Sequence, residues 1–217
     1  MVRLIAFILT VLTLLSGCTI VYHNETQGKG NGQGYGLGSN ANIFDAGEYV
    51  ENIWDGELML YAQEHATDIS ELIRALSTDV DAAGSAYGYR SVDQGGAWNF
   101  IASGIGIVTS VNTESRNGLI MLDVLDNDSK ADVIIQIGPV IKGTSIRDSI
   151  SIIRFDDFTN QLEFQNLATE LNKKAYETVL APITFHVGNE VAFIGMFTFS
   201  SAEEINIVPV SLAVGGA

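Results

Sequence analysis

An α+β fold is predicted from the spacing of apolar residues and the order of the segments. Between residues 46 and 76 apolar residues recur at helical spacing, and from Ile101 onward they alternate with a period of two. Three strands, a helical insertion and two further strands follow one another, which is the order of an OB-like barrel. We therefore expect an N-terminal amphipathic helix pair packed on a five-stranded, antiparallel OB-like barrel, with a helical insertion between strands 3 and 4.

Two capping signals begin the predicted helices. Asp45 stands three residues before Glu48, and Asp68 stands three residues before Glu71, which is the spacing of a capping box. The first helix is expected over about Ala46 to Glu64, and the second begins at Asp68.

Trp54 and Tyr61 lie on the apolar stripe of the first predicted helix. An aromatic residue on such a stripe usually belongs to the core, but it can also line a ligand groove. The sequence leaves both alternatives open.

The segment Ala82–Ala97 is rich in glycine and other small residues. This composition predicts a turn-rich boundary between a helical segment at 43–81 and a barrel domain at 98–217. After the boundary, Ile101–Asn112 predicts the first strand, and its alternation places Ile105, Ile107 and Val111 on one side.

The next two strands follow short turns, so the three strands form a meander. Asn117-Gly118 predicts a tight turn before a second strand at Leu119–Leu125. The third strand has its apolar residues on one face, at Val133, Ile135 and Ile137.

The period of two is lost between residues 138 and 188. Thr144–Ser149 predicts a helical turn with Thr144 as its N-cap, and Ser151–Phe155 predicts an extended segment. Apolar residues from Phe164 to Val179 then predict a helix that ends near Pro182.

Strands return at Val191–Phe199 and Ile205–Val214. In the second of these the apolar phase slips between Ile207 and Val208, just before Pro209. Such a slip is typical of a bulge or an edge strand.

The N-terminus has the pattern of a processing signal. An apolar run of twelve residues, Leu4–Leu15, follows a positively charged start and is shorter than the roughly 20 residues that a membrane-spanning helix needs. Leu15-Ser16-Gly17-Cys18 resembles the bacterial lipobox, which predicts a signal peptide at 1–17 and a lipid anchor on Cys18. Because Thr19 stands where the inner-membrane retention signal has Asp, the outer membrane is favoured over the inner one. Alternating glycines within residues 18–42 predict a flexible tether.

Charge and cysteine content exclude several classes of function. The chain has 26 Asp and Glu against 11 Lys and Arg, a formal net charge of −15, which argues against a nucleic-acid partner. A single cysteine cannot form an internal disulfide or a cysteine-based zinc site.

No metal or cofactor is expected either. Asp126, Asp128 and Asp132 are spaced like part of a calcium loop, but Lys130 and Ala131 stand where such a loop needs an oxygen ligand and a glycine. These residues therefore predict a solvated turn.

A charged segment between residues 142 and 161 is the candidate binding surface. Three alternatives stay open: a structural network of ion pairs and helix caps, a sugar site that combines polar groups with phenylalanine faces, and a protein-docking surface. Its polar members are Lys142, Arg147, Asp148, Arg154, Asp156, Asp157, Thr159, Asn160 and Gln161.

A family resemblance rests on short stretches along almost the whole domain. They are Cys18 in its lipobox, Tyr49-Val50 with Ile53-Trp54-Asp55, residues 136–144, Arg147-Asp148, residues 155–161, and Leu171-Asn172 with Val179-Leu180. Together they resemble the bacterial family of predicted periplasmic lipoproteins called domain of unknown function 2291. The Gly-rich tether is longer than that family suggests. The family has no assigned activity, and its genes often lie beside sugar ABC transporters, which implies an accessory role in sugar uptake.

The expected function is a non-enzymatic, lipid-anchored binding module on the periplasmic face of a bacterial envelope. Its expected partners are the membrane, through Cys18, and a sugar ABC transporter component or a small sugar. Arg147→Ala together with Asp157→Ala is expected to weaken binding and leave the fold intact. The alternatives are an envelope scaffold that binds protein through the Trp54 helix face, and a hydrolase that uses a residue such as Asp157.

Overall fold

The computed structural model describes residues 44–90, 96–202 and 204–215. The predicted signal peptide at 1–17, Cys18 and the tether at 18–42 lie outside the described residues. These described residues form one compact unit, so the helices and the strands share a single body. In the described part of the chain, no helix has both the length and the apolar character needed to cross a bilayer.

The first helical stretch has three pieces. Helix α1 spans Ala46–Ile53, a π-helical turn spans Trp54–Leu58, and α2 spans Met59–His65. The Asp45 carboxylate accepts a hydrogen bond from the backbone N–H of Glu48 at 3.0 Å, which confirms the predicted N-cap.

The next two helices follow each other almost directly. Helix α3 spans Ile69–Thr78 and begins at the Asp68 cap, as predicted, and α4 spans Val80–Tyr87. The predicted boundary at Ala82–Ala97 is therefore wrong in its first part. Asp79 accepts a hydrogen bond from the backbone N–H of Ala82 at 3.0 Å, and this second cap restarts the helix where composition alone indicated a turn.

Five strands close into a barrel. The strands are β1 Thr67–Asp68, β2 Gly88–Tyr89, β3 Asn99–Asn112, β4 Leu119–Asp123, β5 Val133–Gln136, β6 Glu190–Thr198 and β7 Asn206–Gly215. Strand β3 pairs with β4 and β6, β4 with β5, β5 with β7, and β7 with β6, while the short β1 and β2 pair with β3. This arrangement confirms the predicted α+β fold with an OB-like barrel.

The barrel is mixed and not wholly antiparallel, because β5 and β7 pair in parallel. The prediction of an antiparallel barrel overlooked a geometric limit. Strand directions cannot alternate all the way around a closed ring with an odd number of strands, so at least one neighbouring pair must be parallel.

A bulge changes the alternation of β3. The pairing register with β4 shifts between Val108 and Ser110, and both Val108 and Val111 pack with the barrel core. Ile105 is 61% exposed. The prediction that Ile105, Ile107 and Val111 share one side is wrong, because the extra residue moves Val111 to the opposite face.

The last strand contains a bulge, one of the two alternatives that the sequence left open, but it lies at Val210 and not between Ile207 and Val208. Ile194 pairs with Ser211 while the next residue, Gly195, pairs with Pro209. Ile207 belongs to the barrel core and the adjacent Val208 to a second core outside it.

The insertion between β5 and β6 is helical. It contains α5 at Ser145–Asp148, a 3₁₀ turn at Phe155–Asp157, α6 at Gln161–Ala175 and a π-helical turn at Tyr176–Leu180. These bounds confirm the predicted helical turn and the predicted helix that ends before Pro182.

The predicted extended segment at Ser151–Phe155 is wrong. The backbone N–H of Ile153 donates to the carbonyl of Ile150 at 3.4 Å, and both isoleucines are buried in the same core. A strand would place residues three apart on opposite faces, whereas a tight turn places both side chains inside.

Two apolar cores hold the domain together. The first fills the barrel and includes Ile69 and Leu72 of α3, and Gly104 on β3 is needed there because a Cβ atom would lie 2.5 Å from Cγ2 of Ile69. The second lies between α1, α5, α6 and the outer face of the barrel, with Trp54 and Leu171 among its members. The candidate surface lies on the elements of this second core.

Candidate functional site

Arg147, on α5, is a packed residue of the candidate surface. Its Nε donates to Asp148 Oδ1 at 2.7 Å and its Nη1 donates to the carbonyl of Phe164 at 3.0 Å. The guanidinium carbon lies 3.8 Å from the centroid of the Phe164 ring, and only 11% of the Arg147 side chain is exposed. These contacts join α5 to α6. Arg147 therefore has the role expected from the first of the three alternatives, a structural network of ion pairs and helix caps.

Asp148 completes this arrangement. Its Oδ2 accepts a hydrogen bond from the Thr144 hydroxyl at 2.5 Å. Thr144 stands at the N-cap position of α5, but its side chain makes no capping hydrogen bond there. The predicted N-cap position is therefore correct, but the hydroxyl donates to Asp148 and caps no backbone N–H.

Arg154 lies in a different environment from Arg147, although the two residues have the same charge and similar sequence contexts. It pairs with Asp156 at 3.6 Å, and the two side chains are 66% and 81% exposed. The Arg154 backbone N–H donates to Asp157 Oδ2 at 3.2 Å. The side chains of Arg154 and Asp156 therefore remain open to a partner from solution.

Thr159 and Asn160 begin helix α6. Asn160 Oδ1 accepts hydrogen bonds from the backbone N–H groups of Leu162 and Glu163, each at 3.0 Å. The Thr159 N–H donates to the Glu163 carboxylate at 3.0 Å. Both residues therefore stabilise the helix start, as the structural alternative predicted, and Gln161 is exposed one position further on.

Lys142 is held through its backbone. Its N–H donates to Gln136 Oε1 at 2.7 Å, and its carbonyl accepts from Gln136 Nε2 at 3.1 Å. The Lys142 side chain is exposed. The buried Gln136 thus fixes the loop that leads into α5 and leaves the lysine charge in solvent.

A groove of about 510 Å³ lies beside Arg147. Phe155 is 51% exposed and contacts Phe164 edge to face, with the ring centroids 5.4 Å apart. The residues that line the groove are Thr144, Arg147, Phe155, Gln161, Phe164 and Gln165. We call this site the α6 groove. It combines an open aromatic ring with side-chain amides and a guanidinium edge, the chemistry that polar ligands with an apolar face require.

Gln165 is a groove residue that the sequence analysis missed. It lies one helical turn after Gln161, so the two amides share a side of α6. This i, i+4 spacing was the available signal.

A row of aromatic rings supports the groove from behind. The ring centroids of Phe44 and Phe158 are 5.2 Å apart, and those of Phe158 and Phe164 are 5.4 Å apart. Tyr49 contacts Phe158 at 5.9 Å. Burial raises the pKa of the Tyr49 hydroxyl, and the negative charge of nearby Asp157 adds to the increase, so Tyr49 is neutral at physiological pH.

Trp54 and Tyr61 have different fates. Trp54 is only 3% exposed and belongs to the second core, so the scaffold alternative cannot use it as a docking face. Tyr61 is partly exposed, and its hydroxyl lies 2.9 Å from Ser151 Oγ. Tyr61 also lines a small pocket at the molecular surface.

The aspartates of the β4–β5 turn contact their own loop. Asp132 accepts hydrogen bonds from the N–H groups of Val124 and Leu125 at 2.8 and 3.0 Å, and Asp128 pairs with Lys130 at 2.5 Å. Among the residues described, three or more His, Cys, Asp or Glu side chains nowhere come together in a way that would hold a metal ion.

Comparisons with known proteins agree with this fold. The sequence profile of a family described as a predicted periplasmic lipoprotein, DUF2291, matches residues 8–213. A search of curated proteins returns no match. Among solved structures, the crystal structure of an OB-fold protein from Thermotoga maritima is similar, with a TM-score of 0.66 and 24% sequence identity, covering 80% of this chain and 100% of that one. At this identity the similarity shows the fold alone. Because the profile spans most of the sequence, the chain belongs to the family of predicted periplasmic lipoproteins, DUF2291.

Proposed function

We propose that this protein is a non-enzymatic, lipid-anchored binding module that serves sugar uptake from the periplasm. Its α6 groove would contact either the sugar or the periplasmic component of a sugar ABC transporter. The family description supports a periplasmic location and association with a membrane. The link to sugar uptake comes from the gene neighbourhood that the family resemblance implies.

The observation that carries the proposal is the half-exposed ring of Phe155 beside Gln161 and Gln165. An apolar ring face of a sugar, or an apolar side chain of a partner, would cover the phenylalanine. The two amides would supply both donors and acceptors to hydroxyls or to a peptide backbone. Arg154 and Asp156 add an exposed pair of opposite charges next to Phe155 in the chain.

The contacts of the carboxylates support binding over catalysis. Asp148 interacts with Arg147 and Thr144, and Asp157 accepts a hydrogen bond from a backbone N–H. A glycosidase needs two carboxyl groups that face a common bond, one of them free to donate a proton. The hydrolase alternative would have to free Asp148 from Thr144 and Arg147 before it could face a common bond with Asp157.

The test uses the full chain, solubilised in a detergent without a sugar head group, and titrates it with monosaccharides and with the substrate-binding protein of a sugar transporter. A ligand at 100 times its Kd would stabilise the fold by about 2.7 kcal/mol, which a thermal-shift assay detects. Phe155→Ala should weaken binding about tenfold with little change in melting temperature. Leu60→Ala, at another exposed apolar residue, is the matched control. Equal binding by the wild type and Phe155→Ala would exclude the α6 groove.

The scaffold alternative is supported by the length of the grooved surface along α6. The α6 groove shares Thr144 and Gln165 with a second groove of about 500 Å³, which in turn shares Thr169 and Lys173 with a third of about 560 Å³. Such a surface suits a protein segment better than a single sugar. Crosslinking in cells should then trap the same envelope proteins with and without sugar, and a partner list that depends on sugar would contradict the scaffold.

We also propose that the lipid on Cys18 holds the protein in the outer membrane. Separation of the two membranes on a density gradient should place the full chain in the outer-membrane fraction, and recovery with the inner membrane would contradict this location. A Cys18→Ala variant should leave the membrane fraction.

A further inference from the structure

A second, smaller pocket lies away from the α6 groove and has different lining residues. It measures about 130 Å³ and is formed by α2, the α4–β2 junction, β3 and the loop after α5. Its lining residues are Tyr61, His65, Tyr87, Gly88, Tyr89, Asn99, Ile101, Ser149 and Ser151. We call it the tyrosine pocket.

The floor of the tyrosine pocket is buried and fixed. Asn99 is 6% exposed, Ile101 4% and Ser149 2%. The Asn99 amide nitrogen donates to the carbonyls of Ala97 and Tyr89 at 3.2 and 3.4 Å, and its oxygen accepts from the Thr198 hydroxyl at 2.6 Å. Asn99 is therefore fixed in the floor of the pocket, and its polar atoms already have hydrogen-bond partners.

The rim is also held in place. The Tyr61 ring stacks on His65 with centroids 4.0 Å apart and an interplanar angle of 12°. The Tyr61 hydroxyl accepts a hydrogen bond from the Ser151 N–H at 3.3 Å, and the Tyr87 hydroxyl donates to Glu71 at 2.8 Å. Because these rings are positioned before a ligand arrives, binding would cost little side-chain entropy.

Two polar groups of the pocket can form further hydrogen bonds. The buried Ser149 hydroxyl has, within the described residues, one hydrogen bond, to the Phe100 carbonyl at 3.5 Å, the long limit for such a bond. His65 Nδ1 lies 2.9 Å from the Tyr61 carbonyl. A carbonyl only accepts a hydrogen bond, so Nδ1 carries a proton, and Nε2 is the ring nitrogen left to contact a ligand.

We propose that the tyrosine pocket binds one neutral, hydroxyl-bearing ring the size of a monosaccharide. Its volume is slightly below that of an engineered cavity of about 150 Å³ that holds a single benzene ring, so the pocket would cover one side of such a ring and leave its remaining substituents in solvent. Tyrosine faces suit the apolar side of such a ring, and Ser149 and His65 suit its hydroxyls. None of the described residues that line the pocket is Lys, Arg, Asp or Glu, which favours a neutral ligand over a charged one.

The test is isothermal titration calorimetry on the full chain, in a detergent without a sugar head group, with D-glucose, D-ribose and myo-inositol as probes. We expect at least one probe to bind. Ser149→Ala should raise its Kd about tenfold, the effect of one hydrogen bond. Tyr61→Phe, which removes the contact to Ser151 and keeps the stacked ring, should also weaken binding, so the test does not depend on one variant.

Two controls separate this pocket from other sites. Ser77→Ala removes an exposed serine hydroxyl whose contact is the carbonyl of Ile73 on α3, and Phe155→Ala alters the α6 groove. Ser77→Ala should bind the probe like the wild type, and Phe155→Ala should retain the binding event that Ser149→Ala weakens, even where a second event at the α6 groove is lost. The proposal is overturned if none of the three probes binds, if choline binds in their place, or if Phe155→Ala abolishes binding that Ser149→Ala retains. A result that excludes ligand binding at the α6 groove alone would not contradict the proposal for the tyrosine pocket.

Discussion

Replacing Arg147 by alanine should destabilise the fold, whereas the same change at Arg154 should have almost no effect. The Arg147 side chain is 11% exposed, interacts with Asp148 at 2.7 Å and covers the Phe164 ring at 3.8 Å. A hydrogen bond to a charged group contributes about 1.5–3 kcal/mol, and a cation–π contact at least about 0.5–1 kcal/mol. Because these contributions overlap, we expect a loss of about 2–3 kcal/mol.

Arg154 is the matched control from the same surface. Its ion pair is 3.6 Å long and mostly in solvent, and pairs of this kind contribute about 0–1 kcal/mol. With a urea m-value of about 2 kcal/mol/M, the unfolding midpoint should fall by about 1–1.5 M in Arg147→Ala and by less than about 0.5 M in Arg154→Ala. The measurement is urea unfolding of both variants, followed by circular dichroism.

Equal midpoints for the two variants would refute this reasoning, since the structure distinguishes the arginines only by burial and partners. The result also bears on the candidate site. The sequence predicts that Arg147→Ala together with Asp157→Ala leaves the fold intact, whereas the packing of Arg147 predicts that this variant is destabilised. Binding experiments on this surface should therefore use Phe155, which contributes less to the core.

Three further predictions concern the elements that frame the sites. Gly104→Ala should cost about 1–3 kcal/mol because the added methyl group meets Ile69, and a double-mutant cycle with Ile69→Ala in urea should show that the two costs do not add. The hydrogen bond from Ser70 lowers the pKa of Asp68 in the folded protein. Ionised Asp68 therefore stabilises the fold fully above the unfolded pKa of about 3.9, and this stabilisation is lost as the pH falls through the lowered pKa. Asp68→Ala should thus cost about 0.5–2 kcal/mol at pH 7 and less at pH 3, and a constant difference between the unfolding midpoints at the two pH values would contradict this. Asn160→Ala should lower the melting temperature through loss of a cap and leave ligand titrations unchanged; a change in affinity alone would make Asn160 a ligand residue.

Local signals predicted most of the fold. The aspartates at positions 45 and 68 cap helices because a carboxylate accepts hydrogen bonds from N–H groups two or three residues on. Alternation over Val133–Gln136 identified a strand because neighbouring side chains point to opposite faces. Both effects act within a few residues, so they can be recognised without knowledge of tertiary contacts.

Contacts between distant segments decided what the sequence left open. Arg147 and Arg154 have similar sequence contexts, but only Arg147 meets Phe164, so one is a packed residue and the other an exposed charge. The bulge in β3 arises from pairing with β4, and alternation within β3 does not reveal it. Whether a charged residue stabilises the fold or remains available to a ligand depends on these long-range neighbours.

By itself, the sequence predicted the α+β class and the order of strands and helices along the chain, because both follow from the spacing of apolar residues, and its lipobox predicts lipid attachment at Cys18. Only the tertiary structure decided that Trp54 is core, that the α6 groove opens beside Phe155, and that a tyrosine pocket exists. Tyr61 and Ser151 are 90 residues apart in sequence, and their hydroxyls meet because the second core draws α2 and the loop after α5 together. Burial of apolar surface from several segments creates that contact, and no local pattern records it.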